Sequence, residues 1–198
     1  MAARVQTRFT VADLDDFPDD GARRELIDGV LYVDGQPSDD GARLMPPPLW
    51  RHQRVAMRIG RRLLDYTDTH GGEAVGGPGV KRNEENYVEP DVVLVAADAV
   101  PTGGQRFAET PPALVVEVSW PSTRTHDLVR KRAWYERGGV AELWFVDLDV
   151  DRVEVCRLRG EGRYAPPELV ERGGTISPPH LPGLAVEVDD VLGPATDA

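Results

Sequence analysis

Residues 113–148, ALVVEVSWPSTRTHDLVRKRAWYERGGVAELWFVDL, decide the fold class of this chain. The run ALVVEVS (113–119) is typical of a buried strand, and AELWFVDL (141–148) is typical of another. Between them, residues 125–137 predict a helix that Gly138-Gly139 ends. The stretch therefore predicts a strand–helix–strand unit at the centre of the molecule.

The sequence on either side extends this unit into a sheet. An amphipathic helix is predicted over 49–66, where apolar residues recur at a period close to 3.6. Further strands are predicted at EAVGGPGVKR (73–82), EPDVVLVA (89–96) and DRVEVCRL (151–158). Glycines would bend the first of these, and the last would close a hairpin with 141–148. The order helix, three strands, helix, strand predicts an α/β (α+β) domain.

Additions are predicted at both ends of this core. RRELIDGVLYV reads as a hairpin with Asp28-Gly29 as its tight turn, and short strands are predicted around Leu169 and at 184–188. At 198 residues the chain is expected to be one domain, with 194–198 as a flexible tail.

Composition excludes several classes of protein. One cysteine allows neither an internal disulfide nor a multi-cysteine zinc cluster, and no apolar run is long enough to span a bilayer. The N-terminus carries no secretory signal, which favours the cytoplasm. Signatures of serine hydrolases, P-loop proteins, Rossmann folds and zincins do not occur.

Asp91 and Glu117 form the main candidate site. Glu117 is the only charge in ALVVEVS, and a buried carboxylate is costly unless it is paired or bound to metal. If the two strands are antiparallel, with 91 near 119, both carboxylates lie on one face within a few ångströms. Their repulsion would be relieved by a divalent cation. The alternative is an ordinary strand-start Asp and a Glu paired with an arginine.

Lys131 is a second candidate, because the chain has 21 arginines but only two lysines. A lysine is a compact donor that can contact an attacking water or a phosphoryl oxygen. The alternative is a surface pair with Asp127, four residues earlier on the same helix.

The positive charge is concentrated in an otherwise acidic protein. The formal net charge is −11, which disfavours indiscriminate binding to nucleic acid or to anionic membranes. Residues 50–64 nevertheless carry five arginines and no acid. This helix face is either a local site for a polyanion or simply a solvated surface. The five arginines are Arg51, Arg54, Arg58, Arg61 and Arg62.

These features together resemble a known family. EPDVVLV, LVVEVSWPST, DLVRKRAWYERGGVAELWFVD, RVEVCRL and the N-terminal RELIDGVLYV are similar in order and spacing to the Uma-type restriction endonuclease family of the PD-(D/E)XK nuclease superfamily. The resemblance runs from about residue 8 to residue 193. It implies a restriction-endonuclease-like core, an α-β-β-β-α-β mixed sheet, and metal-dependent hydrolysis of phosphodiester bonds.

The resemblance also implies roles for particular residues. Asp91 matches the Asp of the PD motif and Glu117 the acid of the (D/E)XK motif, whereas Ser119 stands where the superfamily has its lysine. The basic role then passes to Lys131. Glu25 and His52 match recurrent family positions, as an additional acid and a polar residue on the first core helix.

Two main hypotheses follow. In the first, the protein is an endonuclease in which Asp91, Glu117 and the Val118 carbonyl bind Mg²⁺ or Mn²⁺, Lys131 assists, and the arginine helix contacts the phosphates of nucleic acid, expected to be DNA. In the second, it is an inactive nuclease-fold module that binds nucleic acid or a protein. A small-molecule enzyme with the same metal site is a third possibility. No membrane partner is expected, and a homodimer would allow paired sites to cut both strands.

Overall fold

The computed structural model describes residues 7–42, 50–119 and 124–194. Two six-stranded sheets carry most of the core, which confirms the predicted mixed α/β class. Within the described ranges, no helix combines the length and the apolar character that crossing a membrane requires. The predicted tail, apart from Pro194, lies outside these ranges.

The N-terminal hairpin forms as predicted. Strands β1 (Arg24–Ile27) and β2 (Val30–Val33) are antiparallel. Their turn residues, Asp28 and Gly29, have φ values of 51° and 73°. Two positive φ angles are those of a type I′ turn, which matches the twist of a hairpin and favours Asp-Gly.

The first sheet has the strand order β3-β2-β1-β6-β5-β8. Its remaining strands are short: β3 (Gln36–Pro37), β5 (Gly79–Asn83), β6 (Asn86–Val88) and β8 (Phe107–Ala108). The sequence pattern did not predict β6 or β8.

The expectation of one bent strand over 73–82 is wrong. Glu73–Gly76 forms β4, which pairs with the second sheet, whereas β5 belongs to the first. Gly77, with a φ of 62°, lies between them and lets the chain pass from one sheet to the other.

The second sheet contains the predicted core, in the order β12-β11-β10-β9-β7-β4. Its other strands are β7 (Val92–Val95), β9 (Leu114–Val118), β10 (Glu142–Asp147), β11 (Arg152–Arg157) and β12 (Glu168–Glu171). Strands β9 and β10 are parallel, while β7 runs antiparallel to β9. The hairpin of β10 with β11 is confirmed.

The pairing of β7 with β9 corrects the predicted register. Val92 pairs with Val116 and Leu94 with Leu114, which brings Asp91 level with Glu117 rather than with residue 119. The error is two residues. Because side chains alternate along a strand, a shift of two leaves both carboxylates on the same face.

One face of the second sheet is covered by α1 (Trp50–His70) and α3 (Val188–Leu192). Val55, Ile59 and Leu63 of α1 pack there against Val116 and its neighbours on β9. The strand predicted over 184–188 is correct only for β14 (Val186–Glu187), which pairs with β13 (Thr175–Ile176) before the chain enters α3.

The opposite face is covered by the second helix and by the first sheet. The helix spans 124–138. Its first two residues are followed by a π-helical segment, His126–Lys131, and then by α2 (Arg132–Gly138), which Gly139 caps. Trp134 and Tyr135 of α2 pack against Val115 on this face. Glu117 alternates with Val116 and so points toward α2.

Candidate active site

Four charged side chains converge between the two sheets. Asp91 immediately precedes β7, Glu117 lies on β9, Glu25 comes from β1 of the other sheet, and Lys131 ends the π-helical segment. Each is buried, with Asp91 the most exposed at 6%. The structure therefore brings the three predicted catalytic residues together and adds Glu25 to them.

Lys131 lies between two carboxylates. Its Nζ is 2.8 Å from Oε1 of Glu25 and 2.5 Å from Oε1 of Glu117. Asp127, the partner expected in a surface pair, is 4.0 Å away and also buried. Lys131 has no exposed surface, so the surface-pair interpretation is wrong.

The π-helical segment brings further polar residues to the site. Such segments widen the turn by one residue and occur frequently at functional sites. Here His126 Nε2 lies 3.0 Å from Oε2 of Glu25, and its ring packs 4.6 Å from that of Tyr32. Glu25 is therefore held from both ends of the segment, by His126 and by Lys131.

Asp91 is surrounded by donors. Arg23 Nη2 donates to Oδ1 at 2.7 Å, while the Val118 N–H donates to Oδ2 at 2.7 Å. His52 Nε2 lies 3.3 Å from Oδ2. Burial alone would raise the pKa of Asp91, but Arg23 and His52 outweigh it and lower that pKa well below its usual range.

Glu117 has the opposite electrostatic character. Burial raises its pKa to about 8 against the attraction of Lys131, and the negative charges of Asp127, Asp91 and Glu25 add to the rise. The Tyr135 hydroxyl donates to Oε1 at 2.5 Å.

Glu25 and Lys131 form a buried ion pair in which each group keeps its charge. Burial would raise the pKa of Glu25, but Lys131 and His126 lower it well below its usual range. Burial would likewise depress the pKa of Lys131, but Glu117 and Glu25 raise it. The ammonium of Lys131 is therefore a hydrogen-bond donor and not a base near neutral pH.

Ser119 has a structural contact. Its Oγ accepts a hydrogen bond from the backbone N–H of Leu148, and its own N–H donates to the Val146 carbonyl. These bonds fasten the end of β9 to the end of β10. Trp120, where the sequence favours core packing over base stacking, lies outside the described residues.

The arginine helix is only partly available to a ligand. Arg51 bonds the Leu148 carbonyl and pairs with Asp151, and Arg62 pairs with Asp190. Arg58 is half-buried, whereas Arg54 and Arg61 are exposed.

Helix α1 covers the face of the sheet opposite Glu117. Its first turn reaches the site through His52, on the inner side of the helix. The structure therefore does not bring the five arginines together with the carboxylates.

Sequence reasoning missed three neighbours of the carboxylates: Arg23, His126 and Tyr135. Tyr135 stands four residues after Lys131, a helical spacing that could have suggested a shared face. Nothing in the local sequence points to Arg23 or His126, because their partners lie on other elements.

The donor set suits a hard divalent cation. Mg²⁺ is commonly held by one or two carboxylates with water completing its shell. The contribution of Asp91 to the raised pKa of Glu117 records a repulsion that such a cation would relieve. In the described ranges, no group of three or more His, Cys, Asp or Glu side chains is arranged as a metal site. The fit is therefore to the pair Asp91 and Glu117.

A family model named Uma2 and described as "Putative restriction endonuclease" matches residues 11–189. The chain belongs to the Uma2 family. No curated protein matches this Uma2 chain.

A solved crystal structure has a fold similar to that of this chain. This Uma2 chain is similar to the crystal structure of "a putative nuclease belonging to DUF820" from Anabaena variabilis, with a TM-score of 0.73 and 15% identity. The match covers 92% of this chain and 97% of the other. At that identity the likeness shows the fold, and together with the family it supports a nuclease.

Proposed function

We propose that this Uma2 protein is a divalent-metal-dependent nuclease that hydrolyses phosphodiester bonds in nucleic acid. The observation that carries the proposal is the convergence of Asp91 and Glu117 on adjacent strands with Lys131 at 2.5 Å from Glu117. Two carboxylates can hold a divalent cation, and an ammonium can stabilise the charge that develops on a phosphate, so these groups suit metal-assisted phosphodiester hydrolysis.

The carboxylates of Asp91 and Glu117, with the carbonyl of Val118, would hold Mg²⁺ or Mn²⁺. When bound, such a cation polarises a phosphate oxygen and lowers the pKa of a coordinated water. Lys131, protonated between its two carboxylates, would donate a hydrogen bond to an attacking water or to the phosphate oxygen on which negative charge develops. His52 and the Val118 N–H hold Asp91 in place.

For the substrate we propose DNA, bound through its phosphates. Arg54 and Arg61 are exposed on α1, beside the exposed side chains of Trp50 and Met57. Arg51 and Arg62 already have carboxylate partners, so we expect weaker contributions from them. A cytoplasmic homodimer remains the proposed assembly.

A second candidate is a catalytically inactive module that binds nucleic acid or a protein on the same fold. The observation that favours it is the internal satisfaction of the site. Both oxygens of Asp91 accept hydrogen bonds from protein donors, and Glu25 and Glu117 share Lys131.

One set of variants separates the two candidates. Wild type, Asp91→Asn, Glu117→Gln, Lys131→Arg and the exposed control Glu73→Gln would be compared by Mn²⁺ titration calorimetry and by cleavage of plasmid, single-stranded DNA and RNA. A nuclease cleaves only with metal, loses cleavage in the three site variants and keeps it in Glu73→Gln.

The contrary result is equally clear. Nucleic-acid binding that persists without metal, with no cleavage and no Mn²⁺ binding by folded wild type, would favour the inactive module. Circular dichroism of each variant separates loss of chemistry from loss of fold.

A further inference from the structure

The geometry points to Arg23 as an internal counter-cation that occupies the metal side of Asp91 and that a divalent metal displaces on binding. This inference rests on the proposed metal site. It concerns how that site is filled when metal is absent, and it gives Arg23 a function that the sequence did not suggest.

The contacts of Asp91 define the position. Its Oδ2 is taken by the Val118 N–H and by His52, groups that belong to the sheet and to α1. Its Oδ1 is taken by Arg23 Nη2 at 2.7 Å. A metal that uses both Asp91 and Glu117 therefore needs the oxygen that Arg23 holds.

The guanidinium is also attracted by the other acids. Asp91, Glu25 and Glu117 all act on Arg23 electrostatically. Arg23 thus lies where three carboxylates attract a positive charge, which is the place that a divalent cation would be drawn to.

Arg23 is the member of the site that can leave. About a third of its side chain is exposed, 32%, whereas Asp91, Glu25 and Glu117 have side chains at most 3% exposed. The Lys131 side chain is 0% exposed and bonds two of those acids, so its ammonium is held between them.

The backbone of Arg23 stays fixed while the side chain can rotate. The Arg23 N–H donates to Oδ1 of Asp34 at 3.2 Å, and its carbonyl accepts from the Asp34 N–H at 2.9 Å. Exchange of arginine for metal therefore requires rotation of one side chain and no opening of the fold.

The test is competition, measured as metal affinity without substrate. Mn²⁺ titration calorimetry would compare wild type, Arg23→Gln and Asp91→Asn. The matched control is Arg130→Gln, which removes a positive charge from the ring of Tyr32, next to His126, but no contact of Asp91. We expect Arg23→Gln to bind Mn²⁺ about tenfold more tightly or better, because two mutually exclusive cations are coupled through one carboxylate. Arg130→Gln should change affinity less than about twofold.

Three results would overturn the inference, and only the last of them would also contradict the proposed function. Equal tightening in Arg23→Gln and Arg130→Gln would reduce the effect to net charge. In the second result, folded Arg23→Gln binds Mn²⁺ no more tightly than wild type, while Asp91→Asn does not bind it. The metal site would then stand, and Arg23 would only support Asp91. Absence of Mn²⁺ binding in every folded variant would remove both this inference and the proposed function.

Discussion

Lys131 Nζ lies 2.8 Å from the carboxylate of Glu25, so the second helix and the N-terminal hairpin are joined by a buried ion pair. The same ammonium reaches Glu117 on the second sheet. One side chain thus connects three separate parts of the fold at the candidate active site. Removal of Lys131 would leave two buried acids without their common cation.

We expect Lys131→Met to lower the free energy of unfolding by about 3–5 kcal/mol, because breaking a buried ion pair strands the remaining charge. Lys81, the other lysine, provides the control, since its partner Glu84 is 66% exposed. Lys81→Met should cost no more than about 1 kcal/mol. Urea denaturation near neutral pH measures both, and similar losses would contradict the structural role assigned to Lys131.

The raised pKa of Glu117 predicts a dependence of stability on pH. Folding moves this pKa from 4.5 to about 8, so the folded protein holds the proton more tightly than the unfolded chain. Stability from this group is full below pH 4.5 and is lost as the pH rises to about 8.

Glu117→Gln cannot titrate and should escape that loss. Its free energy of unfolding, relative to wild type, should therefore increase between pH 4.5 and about 8 and then level off. Urea denaturation across this range tests the point, with Glu73→Gln as a variant expected to follow wild type. A difference that does not change with pH would mean that Glu117 is already ionised in the folded protein.

In the π-helical segment, we expect the number of residues to matter more for stability and Mn²⁺ binding than the identity of its exposed side chains. Val129, 62% exposed, lies within it. Deleting Val129 would permit an ordinary α-helix with His126 and Lys131 four residues apart, which keeps both side chains on one face. The deletion should keep Mn²⁺ binding, whereas an alanine inserted after Val129 should turn the two side chains apart by about 100°, lower the thermal midpoint and abolish Mn²⁺ binding.

Val129→Ala is the matched substitution, because it shortens the side chain but keeps the residue count. Its effect on the free energy of unfolding should stay within about 0.5 kcal/mol. If the insertion variant keeps wild-type stability and Mn²⁺ binding, the residue count of this segment has no part in positioning His126 and Lys131.

Ion pairing within the protein predicts which arginines of α1 contact a polyanion. Arg54→Ala with Arg61→Ala should weaken DNA binding regardless of sequence and reduce the slope of log affinity against log salt by about 2. Arg51→Ala with Arg62→Ala removes the same charge, but these side chains pair with Asp151 and Asp190. The second pair of substitutions should reduce the slope much less, and an equal reduction would contradict the distinction.

Local chemistry made several features predictable from the sequence. Asp28-Gly29 identified the hairpin because few dipeptides accept two positive φ angles. Strand alternation placed Asp91 and Glu117 on one face even though the register was wrong by two residues.

Other features depend on contacts that no local pattern records. The burial of Lys131 follows from a π-helical turn, which a helical spacing rule does not anticipate. Arg23 meets Asp91 only because the two sheets pack together, and the split of 73–82 between those sheets was equally hidden. The roles of these residues in chemistry remain predictions.

The charges that Arg23 and Lys131 supply have an evolutionary consequence. A cluster of acids that relied on metal alone for neutralisation would repel itself whenever metal was lost. Here Asp91 keeps a protein cation and Glu25 keeps another. Descendants of such a protein could change what the site does by substitutions elsewhere and still inherit a folded scaffold, open to selection for a different use.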